Sequence, residues 1–267
     1  ENPTLPLDTG QQRLRYLSRR CSESCGEKAM GADNHAGKVR YAESLDSKGK
    51  AYLFGVYLGD GCCSKFTNHH SFNLISGDRD VVERTATIVN CALQKSYPVT
   101  IITPNKTELY RFRAWQKNLF QMLTFETENK SRLPEFVTNS NNEIMSEFVA
   151  GLMDTDGYIS TGTNKLGQQR FSLGFVNSGK WMDHFVALLT KLGVKVGKKT
   201  LKKKYRSVNE VDCYQINLNL RSFVEAGLYF NCERKKRILE KYKSNVRYQS
   251  YRKSSETTRL TLARVKI

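Results

Sequence analysis

The chain has 267 residues, with 43 Lys and Arg against 26 Asp and Glu and a formal net charge of +17 at pH 7. That excess selects a polyanionic partner, while a hydrophobic fraction of 39% with 13 Phe and 13 Tyr excludes a disordered basic tail. No stretch approaches the ~20 apolar residues that span a bilayer, and the first residues lack a basic-then-apolar signal pattern, so no membrane partner is expected. Seven Cys are scattered singly apart from Cys62-Cys63 and Cys21-x-x-x-Cys25. They fit free thiols in an intracellular reducing compartment better than a disulfide framework. Cys21, Cys25 and His35 lack the fourth spaced ligand of a zinc site.

Residues 1–50 carry nine Lys/Arg against seven Asp/Glu and form a nearly neutral N-terminal extension. Within it, residues 10–25 read either as a basic helix laid on a polyanion or as disordered chain. Then comes an apolar, Gly-punctuated helix, Leu53 to Gly61 (LFGVYLGDG), ending on Asp60-Gly61. Alternation over 64–76 predicts two strands, followed by a helix at about 80–95, strands at about 97–104 and 108–115, and a short closing helix. The order then repeats. Val149 to Gly157 (VAGLMDTDG) is a second acid-ending helix. After it come strands within 158–176, a helix over 179–192 stopped by Gly193, strands at about 194–205 and 211–219, and a last short helix.

Matches run through both copies. Phe72-x-Leu74 answers Phe171-x-Leu173, and Ser76-Gly77 answers Ser178-Gly179. Tyr110-Arg111-Phe112-Arg113 answers Tyr214-Gln215-Ile216-Asn217, and Phe125–Arg132 answers Phe230–Arg237, which sets Lys130 against Lys235. A repeat of about 100 residues is too long for a solenoid unit and is a duplicated domain. The expected fold class is α+β, with two pseudo-symmetric αββαββα halves over 51–139 and 140–243. Each half carries a four-stranded antiparallel sheet covered by helices on one face. Residues 244–267 form a basic C-terminal tail. Over 234–267 the count is twelve Lys/Arg against two Asp/Glu, and Lys195 to Arg206 is a further cluster with seven basic residues in twelve.

Gly after a helix end is the usual left-handed cap. Asp at a helix C-terminus is disfavoured, because the dipole there is negative. The same disfavoured choice at Asp60 and Asp156 asks for a cause, and a divalent cation supplies one. Two carboxylates with the backbone carbonyls of Gly61 and Gly157 make a hard oxygen site suited to Mg²⁺. On the fourth strands, the period of two places Arg111 and Arg113, and Gln215, Asn217 and Asn219, on the uncovered sheet faces. Arg reads guanine and amides read adenine in the major groove. Lys65, Asn73, Arg170, Lys199 and Lys203 are the further candidate DNA contacts.

The two helices resemble the namesake motif of the LAGLIDADG homing endonucleases, the second copy closely and the first with Leu58 in place of the inner Asp. Lys130-Ser-Arg-Leu-Pro134 resembles the Lys-x-Ile-Pro element of single-chain members, with either Lys130 or Arg132 as its basic residue. The resemblance covers residues 51 to about 243. It implies motif helices packed side by side, and sheets forming a saddle on double-stranded DNA. It also implies two or three divalent ions, Mg²⁺ above all, held between Asp60 and Asp156. The implied reaction hydrolyses both strands and leaves short 3′ overhangs, with Lys130 and Lys235 steadying charge on the phosphate or clamping the backbone. Ser76-Gly77 and Asn177-Ser178 are the expected places for groups that position water. Alternatives are a maturase that binds intron RNA and a DNA-binding regulator without catalysis. The expected state is a monomer. The chain neither begins with Cys or Ser nor finishes in His-Asn, so the expectation is a free-standing or intron-encoded protein.

Overall fold

The computed structural model describes residues 45–66, 69–203 and 212–245. The basic segment 10–25, Cys21, Cys25, His35 and the tail beyond 245 lie outside the described residues. Helix α1 (Ser47–Leu58) starts at Asp46, whose Oδ1 accepts from Gly49 N at 2.5 Å. Its counterpart in the second half, α5 (Asn142–Thr155), starts at Asn141, which accepts from Ile144 N at 3.0 Å. Both are side-chain N-caps that satisfy a free backbone donor. Residues 51–58 of α1 are buried without interruption, as an apolar helix enclosed on all sides must be.

The two helices pack against each other at the centre of the molecule. A Cβ at Gly55 would lie 2.3 Å from Phe148 O, and one at Gly151 would lie 2.3 Å from Tyr52 O. Backbone meets backbone here, so only glycine fits.

The first half continues with β1 (Cys62–Phe66), β2 (His69–Ser76), α2 (Arg79–Leu93), β3 (Val99–Ile102), β4 (Leu109–Trp115), α3 (Lys117–Glu126) and α4 (Glu135–Thr138). The second continues from α5 with β5 (Gly157–Thr163), β6 (Gln169–Asn177), α6 (Met182–Lys191), β7 (Thr200–Lys203), β8 (Cys213–Leu218) and α7 (Leu220–Glu225). Residues 233–245 form a closing helix, α8. The sheets are antiparallel with orders β1-β2-β4-β3 and β5-β6-β8-β7, the same topology twice. The α+β fold of two repeated halves is therefore as read from the sequence.

Several local expectations are corrected. Cys62 pairs with Asn73 and Tyr158 with Gly174, so the repeat sets Phe72 against Leu173, Leu74 against Phe175 and Ser76 against Asn177. The spacing alone had each of these out of register, because β6 starts later relative to its helix. Strand β7 covers only Thr200–Lys203, preceded by an isolated bridge between Val196 and Leu218. Gly193 does end α6 in a left-handed conformation, φ 88°. Gly61 and Gly157 do not: among the described residues, the glycines with positive φ are Gly167, Gly193 and Gly227. Their need for glycine is bulk, since a Cβ at Gly61 would sit 2.6 Å from Tyr57 Cα and one at Gly157 2.5 Å from Met153 O. Cys62, Cys63, Cys213 and Cys232 are free. No helix among the described residues is long and apolar enough to cross a membrane.

Candidate functional site

At their C-terminal ends α1 and α5 are still in contact. A Cβ at Gly59 would meet Thr155 Oγ1 at 2.0 Å and Asp156 Oδ2 at 3.2 Å. The small pair Gly59 and Thr155 thus lets Asp60 and Asp156 approach across the pseudo-dyad. Asp156 is pushed up to a pKa of about 6, first by desolvation and then by the charge of Asp60. Asp60 opens to the surface, yet partial desolvation also raises its carboxyl above the usual range, aided by Asp78 and opposed by Lys235 and Lys130. Asn177, at the end of β6, donates through Nδ2 to Asp156 Oδ2 at 2.5 Å and so orients that carboxylate. Ser76 occupies the corresponding place in the first half, where its hydroxyl accepts from Asp78 N at 3.2 Å.

The unfavourable acid at each helix end is answered by a lysine. Lys130 Nζ donates to Gly59 O at 2.9 Å and reaches Leu58 O at 3.5 Å. Lys235 Nζ, on α8, shares its three N–H groups among Gly157 O at 2.6 Å, Asp154 O at 2.7 Å, Met153 O at 2.9 Å and Thr155 O at 3.2 Å. A cation at a helix C-terminus is what the dipole favours. Burial lowers the pKa of both ammonium groups, with nearby acids opposing the shift. The alternative basic residue, Arg132, instead makes surface ion pairs with Glu128 at 3.3 Å and Glu135 at 2.8 Å. Lys130 is the one at the helix end.

The inner acid of the second motif, Asp154, was assigned no role from sequence. It is buried, with backbone donors Asn231 N at 3.0 Å and Cys232 N at 2.9 Å on Oδ1 and the Tyr52 hydroxyl at 3.0 Å on Oδ2. The replacement of this acid by Leu58 in the first copy was the available signal that its job differs from that of Asp60 and Asp156.

Among the described residues no cluster of three or more His, Cys, Asp or Glu side chains is placed to hold a metal alone. Two carboxylates nevertheless fit Mg²⁺, which binds through one or two acids and completes its shell with water and substrate phosphate. The charge of Asp60 weighs on Asp156, and a divalent ion held by the two acids would relieve that repulsion. The Gly157 carbonyl, an expected ligand, is taken by the Lys235 ammonium.

Flanking this centre are the two uncovered sheet faces. On the first, Arg111 and Arg113 alternate with buried Phe112 and Ala114. Asn73 stands beside Arg113 across the β2–β4 ladder. Asn73 Oδ1 and Arg113 Nε are both buried with no hydrogen-bond partner, and the guanidinium lies over the Trp115 ring at 5.4 Å. On the second face, Gln215 Nε2 donates to Tyr158 Oη at 2.6 Å and to Asn217 Oδ1 at 3.0 Å, and Tyr158 Oη donates to Asn217 at 2.9 Å. This closed amide network lies over Gly174, where a Cβ would meet Tyr158 Oη at 2.4 Å. Arg170, paired with Gly162, shares that face through the β5–β6 ladder.

Three expected contacts fall elsewhere. Lys65 pairs with His70, whose ring meets Phe120 of α3 at 4.8 Å, so Lys65 belongs to the helix-covered side. Lys199 pairs with Asp183 of α6 at 2.6 Å and lies over Tyr214 at 5.1 Å, again on the helix side. Asn219 caps α7, accepting from Ser222 N at 2.9 Å, because it stands one residue past the strand. The side chain of Lys203 lies outside the described residues.

Comparison with known proteins agrees with the resemblance. A family model described as "Homing endonuclease" matches residues 132–246, the region that carries Asp156, Asn177 and Lys235. Similar solved structures are homing endonucleases. Variants of I-DmoI are 20% identical, covering 67% of this chain and 88% of theirs at a TM-score of 0.48. I-WcaI bound to its DNA recognition sequence is 13% identical, covering 79% and 95% at 0.48. LAGLIDADG homing endonuclease I-GzeII in complex with a DNA target is 12% identical, covering 78% and 92% at 0.46. Likeness at that level does not bear on activity. A curated relative, described as a probable translation initiation factor IF-2 of Methanocaldococcus jannaschii, is 24% identical over 224 residues, 79% of this chain and 18% of that protein. The chain thus spans about a fifth of the relative's length, and nothing of that factor's activity follows for it.

Proposed function

We propose that this chain is a site-specific double-strand DNA endonuclease that works with divalent metal ions. The observation that carries the reading is the pair Asp60 and Asp156, brought together at the ends of two glycine-packed helices, with an open, polar sheet face on either side. The family match over the second half supports it. Net charge of +17 supplies the attraction to phosphate.

In this reading the sheets lie along the major groove and the dyad stands over the two scissile phosphates. A bound Mg²⁺ would supply charge stabilisation on the phosphate and lower the pKa of its water. Asp60 and Asp156 would hold it in their ionised forms. Asn177 fixes the rotamer of Asp156, and Lys130 and Lys235 add positive charge where the phosphate becomes more negative. Arg111, Arg113 and Asn73 read base edges in the first half, and Arg170, Gln215 and Asn217 face the other half-site. Hydrolysis of both strands, with short 3′ overhangs, and action as a monomer belong to the same proposal. Selection of bound duplexes from a randomised pool, followed by incubation of the winners with Mg²⁺, tests it. Site-specific scission supports the nuclease, whereas tight duplex binding without scission leaves a regulator, and preference for intron RNA leaves a maturase.

A further inference from the structure

The two halves hold their lysines by different devices. Lys130 sits at the end of three consecutive residues with positive φ, Glu128 at 46°, Asn129 at 53° and Lys130 itself at 69°, and its ammonium touches two carbonyls. Lys235 lies in the first turn of α8, is 3% exposed, and shares its three N–H groups among three carbonyls at the end of α5 and that of Gly157 at the start of β5. The start of α8 is held at the surface by Asp78, which takes the Arg234 guanidinium at 2.8 and 2.9 Å, and in the interior by Asp154. Its carboxylate, 2% exposed, collects the otherwise free backbone donors Asn231 N and Cys232 N, while Tyr52 Oη holds its second oxygen. Asp80 takes the next donor, Glu233 N. Leu58, which stands at the matching position of the first half, has no oxygen to do this.

We propose that Asp154 is the positioning residue for Lys235: by anchoring the N-terminus of α8 it delivers that ammonium to the C-terminal end of α5, beside Asp156. The first half lacks the device, so the two sides of the dyad are unequal in how firmly their basic residue is placed. The anchoring itself does not depend on the nuclease reading; its consequence for cleavage does. Under that reading, loss of Asp154 slows scission of one strand more than the other, and nicked duplex accumulates.

The test is amine acetylation of the full chain with acetic anhydride, read peptide by peptide by mass spectrometry. In the wild type Lys235 is protected relative to the exposed Lys65. In Asp154→Leu, which copies the first half, Lys235 labelling rises on the order of tenfold, the loss expected when charge-assisted hydrogen bonds are released, while Lys130 is unchanged. Asp154→Ala, which removes both acceptor oxygens without adding bulk, carries the test if the Leu variant does not fold. Protection of Lys235 in the folded variant overturns the proposal, as does an equal rise at Lys130, which is general loosening. Strand-resolved cleavage is then compared in the same proteins. Equal slowing of both strands overturns the functional half of the proposal, and a wild type that cuts neither strand overturns the nuclease reading while the labelling result stands.

Discussion

Replacing Asp156 by Asn should stabilise the fold while removing the proposed activity. Its carboxyl is raised from 3.8 to about 6, so the folded chain holds an ionised group there at neutral pH against desolvation and the charge of Asp60. About two units at ~1.36 kcal/mol each give an upper bound of ~3 kcal/mol. Partial solvent contact cuts this to ~1–2 kcal/mol, or ~2–8 °C in Tm for a domain of this size. The Asn amide oxygen still accepts from Asn177, so no hydrogen bond offsets the gain. The sign with pH follows from linkage. A carboxyl whose pKa is raised on folding binds more protons in the native state between 3.8 and about 6, so the wild type loses stability as pH climbs through that window. The advantage of Asp156→Asn is therefore full above it and vanishes below it. Thermal unfolding followed by circular dichroism across that range, without divalent ions, reads the difference. An equal stability gain at all pH values, or a loss at neutral pH, would refute the reasoning.

The same site and faces give further expectations. Gly151→Ala gains up to ~1 kcal/mol of helix propensity, but its Cβ lands 2.3 Å from Tyr52 O. Forcing the dyad helices apart outweighs that, and a net loss of ~1–3 kcal/mol should appear in urea unfolding. Arg113→Ala should relax base preference at one position of the first half-site by ~1–3 kcal/mol. Asn217→Ala should cost less, because Asn217 already accepts from Tyr158 and Gln215; competition binding with single-base variants of a selected duplex compares them. Lys199→Ala should leave the slope of affinity against salt unchanged, since its ammonium pairs with Asp183.

The features legible from sequence are local or repeated. The element order and the alternation Arg111-Phe112-Arg113-Ala114 are set by residues within a turn or a strand of one another, whereas the glycine packing of the dyad helices joins segments far apart in the chain. Lys65 and Lys199 face the helices for reasons that lie outside their own segments: the pairing with His70 commits Lys65, and Asp183 and Tyr214 hold Lys199 just ahead of β7. Asn219 was read as a strand residue although Asn is also a leading N-cap, and the chain turns into α7 there. The left-handed cap expected at Gly61 and Gly157 does not form; both are glycine because neighbouring atoms leave no room for a Cβ. The role of Asp154 was not legible, because its partners Asn231 and Cys232 lie 77 and 78 residues away.

The central claim is that Asp60 and Asp156 act together on DNA. The most direct measurement incubates the wild type, Asp60→Asn and Asp156→Asn with a duplex selected for binding and Mg²⁺, and resolves both strands at single-nucleotide resolution. Staggered scission by the wild type, none by either variant, and undiminished binding by all three are expected. Stable binding without scission by the wild type, or full scission by either variant, would contradict it.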